Sequence, residues 1–203
     1  RLEEMYRANP SRETLEKYSK QVEETAAFMA DFVSYDAKTK KYFLQGATAM
    51  QESLSKDFSY NHLFELAYWQ YGLSVANLWR ERQGPSRHAE WDAISKNMSS
   101  LPEKDGIYTA GLPKGKTSNL KSFDPFDAVA SGAKPIVSTE SFAEKCRNDH
   151  PAVLGACGLL PNEQTPYTLL YNKEKMEHTL DWVMNNWNWP TTWGWDYGMI
   201  AMC

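Results

Sequence analysis

The stretch SYNHLFELAYWQYGLSVANLWRER, residues 59–82, decides the fold class. Leu63, Leu66, Ala67, Tyr71, Val75, Leu78 and Trp79 recur at steps of three and four, the spacing of one helix face. Glu81, Arg82 and Gln83 then run into Gly84-Pro85. Glycine accepts the left-handed turn that ends a helix, and proline cannot continue one. The pattern therefore predicts one long helix over 59–82, against which other elements pack.

Upstream, Leu15, Tyr18, Val22, Ala26, Met29 and Val33 repeat the same period. They predict a helix over 13–33, with Asn9-Pro10 as its N-cap and first-turn pair. Residues 36–41 read as a turn, 42–44 as a short extended piece, and 46–53 as an irregular loop. Downstream, 88–98 reads as a shorter helix. Residues 102–135 are rich in Gly, Pro, Lys and Ser and predict a long irregular excursion. Residues 141–147 and 151–160 are helical pieces, the second rich in Ala and Gly, and 161–166 is a loop. Asn172 caps a helix over 173–187, Asn188-Trp189-Pro190 breaks it, and a further helix begins near Trp193. Strand alternation is absent outside the long loop. Helix, polar and aromatic loop, helix: this grammar predicts an all-α array of antiparallel helical hairpins.

The chain has 203 residues, enough for a single core over 1–203. Its net charge of −4 supplies no drive toward nucleic acid or an anionic membrane surface. No apolar run reaches the ~18 residues of a spanning helix, and the charged opening Arg1-Leu2-Glu3-Glu4 is no signal peptide. Arg1 enters as if in mid-helix and residues 197–203 read as a helix just begun. The expectation is therefore a piece of a longer polypeptide. The cysteines Cys146, Cys157 and Cys203 are odd in number and have no CxxC spacing. They predict small buried apolar side chains rather than a disulfide framework or zinc site. No metal and no cofactor is expected.

Five of the eight tryptophans, Trp182, Trp187, Trp189, Trp193 and Trp195, fall in one short stretch. Such a cluster is either aromatic core or a wall that stacks on sugar C–H faces or cations. Four polar groups adjoin helix entries. Glu52, in Gln51-Glu52-Ser53, is a solvated loop residue or a general acid. Asn61 and Glu65 lie one turn apart on a helix face that Trp69 continues, a wet face or a pocket wall. Asp149, before His150-Pro151, is an N-cap or, with His150, a ligand for sugar hydroxyls. Asp196, within Trp193-Gly194-Trp195-Asp196-Tyr197, is an N-cap, a general base or an acceptor from hydroxyls. Nucleotide, serine-hydrolase and metalloprotease motifs are missing.

Three blocks carry a resemblance: Gln51-Glu52-Ser53 with residues 61–73, residues 149–155, and residues 193–197. They resemble bacterial six-hairpin glycosidases, relatives of the kojibiose and maltose phosphorylases and of glucosylgalactosylhydroxylysine glucosidase. The resemblance implies an (α/α)6 toroid, only part of which this chain would hold, with a carbohydrate pocket where helix ends and loops converge. It implies Glu52 as general acid, although relatives have Pro-Asp before that glutamate and this chain has Met50-Gln51. Their Lys-Gln sugar-binding pair falls on Asp149-His150. Their phosphate-binding His-Asp-Ser-Ser run falls on Trp195-Asp196-Tyr197-Gly198, which lacks the hydroxyls and the histidine.

Water is thus the implied nucleophile, giving an inverting hydrolase with Asp196 as base or sugar ligand. Gln51, Asn61, Glu65, Trp69, Asp149, His150, Trp193 and Trp195 line the sugar site in this reading. The alternatives are a disaccharide phosphorylase and a noncatalytic carbohydrate-binding helical module. The resemblance favours a periplasmic or secreted location, and the partner would be a carbohydrate and the rest of a longer chain.

Overall fold

The structure is a computed structural model and describes residues 1–57, 59–115, 138–161 and 171–203. It is mostly helical, and no strand among the described residues exceeds three residues. The predicted excursion over 102–135 is described only to residue 115, and the loop over 161–166 only at Pro161. The rest of both lies outside the described residues.

Two helices open the chain, α1 (Leu2–Ala8) and α2 (Arg12–Phe32). Asn9-Pro10 does not cap α2 as expected. It links the two helices, and Ser11 is the cap, its Oγ accepting from the Thr14 N–H at 3.1 Å. A hydroxyl in that position satisfies one of the donors that a helix start leaves open. Strands β1 (Ser34–Asp36) and β2 (Lys41–Phe43) then form a hairpin. The Asp36 carboxylate makes its turn by accepting from the N–H groups of Lys38 and Thr39. The extended piece at 42–44 was legible; its pairing was not.

Helix α3 (Leu63–Gln83) is the predicted central helix, but it starts four residues later than the pattern suggests. Ser59–Tyr60 is instead a strand, β3, paired with a later one. Gly84 closes α3 at φ 100°, as read from Gly-Pro. Helix α4 (Ala89–Lys96) follows. Three short strands come next: β4 (Glu103–Lys104), β5 (Ile107–Tyr108) and β6 (Leu112–Pro113). β4 pairs with β5, and β6 with β3. β3 corrects the expected helix start at residue 59, whereas β4, β5 and β6 fall inside the excursion expected over 102–135. They are too short to leave an alternation in the sequence.

After the undescribed segment come α5 (Thr139–Lys145), a 3-10 turn (Ala152–Leu154), α6 (Gly155–Gly158) and α7 (Lys173–Asn186). A second 3-10 turn (Trp189–Thr191) and α8 (Gly194–Ala201) end the described chain. The expected helix over 151–160 is thus a 3-10 turn plus one α turn. Asn172 caps α7 as predicted, accepting from Lys175 N–H at 2.8 Å.

Helices α2, α3 and α4 are antiparallel neighbours. Glu23 pairs with Arg80 at 2.8 Å, while Trp69 donates from Nε1 to the Met29 carbonyl at 3.0 Å. Ser74 meets Ser95, and Asn77 meets the His88 backbone. As one helix index rises the other falls. α3 lies between two apolar clusters. Leu66, Leu73 and Ala76 join Ala26, Met29, Trp91 and Ile94 on one side. Leu63 and Ala67 join Val153, Leu154, Met176 and Val183 on the other. At ~1.5–3 kcal/mol per fully buried large side chain, these clusters dominate the favourable side of folding. No helix is long and apolar enough to cross a membrane among the described residues.

Candidate functional site

The second cluster ends in a knot of loops, and the polar groups meet there. Asp149 sits at φ 71°, a left-handed conformation that Asp tolerates better than most residues. Four contacts hold it. Its N–H donates to Thr191 Oγ1 at 2.7 Å, and its carbonyl accepts from Trp187 Nε1 at 2.9 Å. Its Oδ2 accepts from the Ser53 N–H at 2.9 Å, and its Oδ1 lies 3.3 Å from His150 Nε2. Backbone strain of this kind survives only where the surroundings over-determine it, and it gathers at functional sites.

His150 links Asp149 to Asp196. Its Nδ1 lies 3.2 and 3.1 Å from the two Asp196 oxygens. Asp196 is wholly buried. It is the third residue of α8, and its Oδ2 accepts from the Trp193 N–H at 2.7 Å. A carboxylate there faces the positive end of the helix dipole and fills an open donor at the helix entry. Asp196 therefore holds the imidazole at Nδ1, and the Asp149 carboxylate stands beside its other nitrogen. Trp193 approaches it edge-on at 5.5 Å between ring centroids, and Trp195 tilts over it at 4.6 Å.

The two indoles around this histidine, and Tyr197 further along α8, are open to solvent. Trp193 is 60% exposed, Trp195 44% and Tyr197 54%. Tyr197 stacks on Trp189 at 6.0 Å. Exposed indoles gathered on one polar side chain are an open apolar patch of the kind that marks interaction sites. Trp193 and Trp195 make an aromatic platform beside the buried His150 and Asp196 and the partly accessible Asp149.

Glu52 adjoins the platform by its neighbours. Ser53 Oγ donates to the Lys145 carbonyl at 2.9 Å, and Gln51 Nε2 donates to the carbonyls of Lys145 and Asn148 at 2.9 and 3.0 Å. The loop is thus fastened to the end of α5 and to Asp149, and Glu52 between the fastened residues is exposed.

The structure brings Glu52, Asp149, His150, Trp193, Trp195 and Asp196 into one neighbourhood. Other candidates stand apart from the platform. Gln51 is fully buried with its amide on the α5 carbonyls. Asn61, at φ 48°, accepts from the Leu44 N–H at 2.8 Å and clamps residue 44 beside β3. Trp69 lies in the α2–α3 contact, next to Phe32 at 5.6 Å. Glu65 is buried, with Oε1 accepting from the Met50 N–H at 2.7 Å and Oε2 without a hydrogen-bond partner among the described residues. Burial pushes its carboxyl above the ordinary range. Asp149 does not cap the helix after it; it reaches to Ser53 instead.

Sequence reasoning missed the supports: Ser53, Thr191, Trp187 and the Trp189–Tyr197 stack. The Trp cluster signalled the region, but nothing in the sequence pairs residue 53 with 149. No group of three or more His, Cys, Asp or Glu able to hold a metal ion occurs among the described residues. Comparisons of the chain with family models, with curated proteins and with solved structures find no match.

Proposed function

We propose that this chain is a carbohydrate-active helical unit, part of a six-hairpin (α/α)6 toroid, that hydrolyses glycosidic bonds with inversion. The observation that carries the reading is the pair of exposed indoles, Trp193 and Trp195, around His150. Flat faces beside fixed polar groups suit a pyranose, whose axial C–H bonds stack on an indole while its hydroxyls need oriented donors and acceptors. The antiparallel set α2, α3 and α4 is compatible with hairpins of a toroid.

In this reading Glu52 protonates the leaving oxygen. Asp149, partly accessible at 18% of its side chain, and His150 orient hydroxyls. Asp196 removes the proton from the attacking water. Inversion needs the two carboxyls about 6.5–9.5 Å apart so that water fits between sugar and base. The hydroxyl-poor run at 195–198 supports water over phosphate as the nucleophile.

A second reading rests on one specific observation. Asp196 is wholly buried, and both of its oxygens already face His150 or the Trp193 N–H. That suits a noncatalytic carbohydrate-binding module in which Asp196 only positions His150. Glu52→Gln in the full chain separates the two. As general acid, Glu52 should be worth about 10²–10⁴ in hydrolysis of glycosides with poor leaving groups and far less on activated aryl glycosides. Unchanged rates on every hydrolysed substrate would remove Glu52 from the chemistry. Sugar binding without any turnover would leave the binding module. Added phosphate should not accelerate cleavage; if it does, the enzyme is a phosphorylase.

A further inference from the structure

On the side of the second cluster formed by α6, α7 and α8, two cysteines share a cavity of about 310 Å³. Cys157 lies in α6, and Cys203 follows α8. Tyr171, Lys173 and Met176 also line the cavity. What brings the two thiols together is a backbone contact one residue away. A Cβ on Gly158 would lie 2.2 Å from the Met199 carbonyl oxygen, so only glycine lets α6 and α8 approach this closely. Four residues beyond Met199 the chain reaches Cys203, whose N–H donates to the Ile200 carbonyl at 3.0 Å. Cys157 Sγ is 3.2 Å from the Cys203 carbonyl oxygen, and Cys203 Sγ is 3.9 Å from the Leu154 carbonyl oxygen. Each thiol thus lies against the other's backbone segment, within reach of a side-chain rotation.

We propose that Cys157 and Cys203 are a dithiol–disulfide pair, a modification site that takes a small organic disulfide such as oxidised glutathione as its oxidant. One of the two thiolates attacks one sulfur of the glutathione disulfide. One glutathione thiolate leaves, and a mixed disulfide remains on that cysteine. The other cysteine's thiolate then attacks the protein sulfur of the mixed disulfide, forming the Cys157–Cys203 bond and releasing the second glutathione. Two protein thiols lose two electrons and two protons, and one glutathione disulfide becomes two glutathione thiols.

The surroundings favour a thiolate within the pair. The neighbouring Cys203 side chain, the Tyr171 hydroxyl and the Lys173 charge pull the Cys157 thiol downward against the opposing pull of burial. Either sulfur can open the glutathione disulfide, and the other resolves the mixed disulfide. The third thiol, Cys146, packs against the same apolar cluster, and burial pushes it up to about 12, which makes it a bystander.

The pair exists whatever the protein binds, so its test needs no sugar. The full chain is equilibrated in graded mixtures of reduced and oxidised glutathione, acid-quenched, alkylated and digested, and the peptides are weighed. At oxidising ratios the wild type should lose two alkylatable thiols and yield one linked peptide pair joining 157 to 203, with Cys146 still alkylated. Cys203→Ser and Cys157→Ser should each stop at a single glutathione adduct on the remaining cysteine of the pair. Three alkylated thiols at every ratio would overturn the proposal, as would linkage of Cys146 as often as Cys203. Because the wild-type measurement decides alone, misfolding of either variant leaves the test intact.

Discussion

Two buried carboxylates, Glu3 and Asp196, sit in opposite halves of the molecule and have opposite surroundings. Glu3 on α1 is saturated by donors. Arg7 Nε and Arg82 Nη2 reach Oε1, both at 2.9 Å, and Trp79 Nε1 and Arg82 Nη1 reach Oε2 at 2.7 and 2.6 Å. Burial pulls its pKa upward, but these donors together hold it below the ordinary value. Asp196 has one histidine and one backbone N–H, and beyond the histidine lie exposed rings. The first carboxylate ties α1 to α3 through Arg82 and Trp79. The second fixes a single side chain beneath a surface that solvent reaches. Burial alone, equal in both, says nothing about function; the partners and what lies beyond them do.

The contrast breaks most visibly in Glu3→Leu. The two arginines would lose their shared partner, and because both are partly exposed they would recover some hydration. Stability should fall by about 2–4 kcal/mol, somewhat less than the ~3–5 kcal/mol for breaking a fully buried pair, because the arginines regain water. Denaturant titration measures this, and sugar binding should be unchanged. Loss of binding with full stability would reverse the assignment of the two halves.

Histidines sharpen it next. His62 is buried, with Nε2 2.8 Å from Ser59 Oγ, and burial depresses it to about 4. The unfolded chain takes up that proton near pH 6.5 and the folded one only near 4. Its contribution is thus complete above about pH 6.5 and is lost as the pH falls toward 4, at most ~3 kcal/mol. Urea unfolding across that window should show the slope, and His62→Asn should flatten it. A wild-type curve without slope would mean that water reaches the ring.

On the open side, Trp195→Ala should weaken sugar binding by about 1–3 kcal/mol with little change in melting temperature. Unaltered binding with a lowered melting temperature would make the platform part of the core. The smallest effect compares caps in the two halves. Ser11→Ala and Asn172→Ala each remove an oxygen from a helix entry and should each cost ~1 kcal/mol. Two separate thermal transitions, each shifted by only one of the substitutions, would show that one half of the molecule unfolds before the other.

Local chemistry made much of this readable in the sequence. The period of three and four placed α2, α3 and α7 because a helix face must be apolar where it packs. Gly84-Pro85 and Asn172 marked ends because the left-handed turn and the N-cap belong to residue types. The Trp-rich stretch marked the region of the candidate site. Asn9-Pro10 misled because a serine two residues later offered a better acceptor to the helix start. The short strands could not be read, since two or three residues carry no alternation.

Tertiary structure decided everything that joins distant residues. α3 reads as a helix with one apolar stripe but is buried on two sides, because clusters from both halves close on it. Gln51, Asn61 and Trp69 looked like polar or aromatic residues free to bind. They are engaged by Lys145, Leu44 and Met29, far away in the chain. Ser53 meets Asp149 and His150 meets Asp196 across 96 and 46 positions. Cys157 meets Cys203 across another 46. Periodicity and capping act within a few residues, so one sequence displays them. Long-range partners depend on how loops close over a shared core, and that is set only when every apolar face has found its cover.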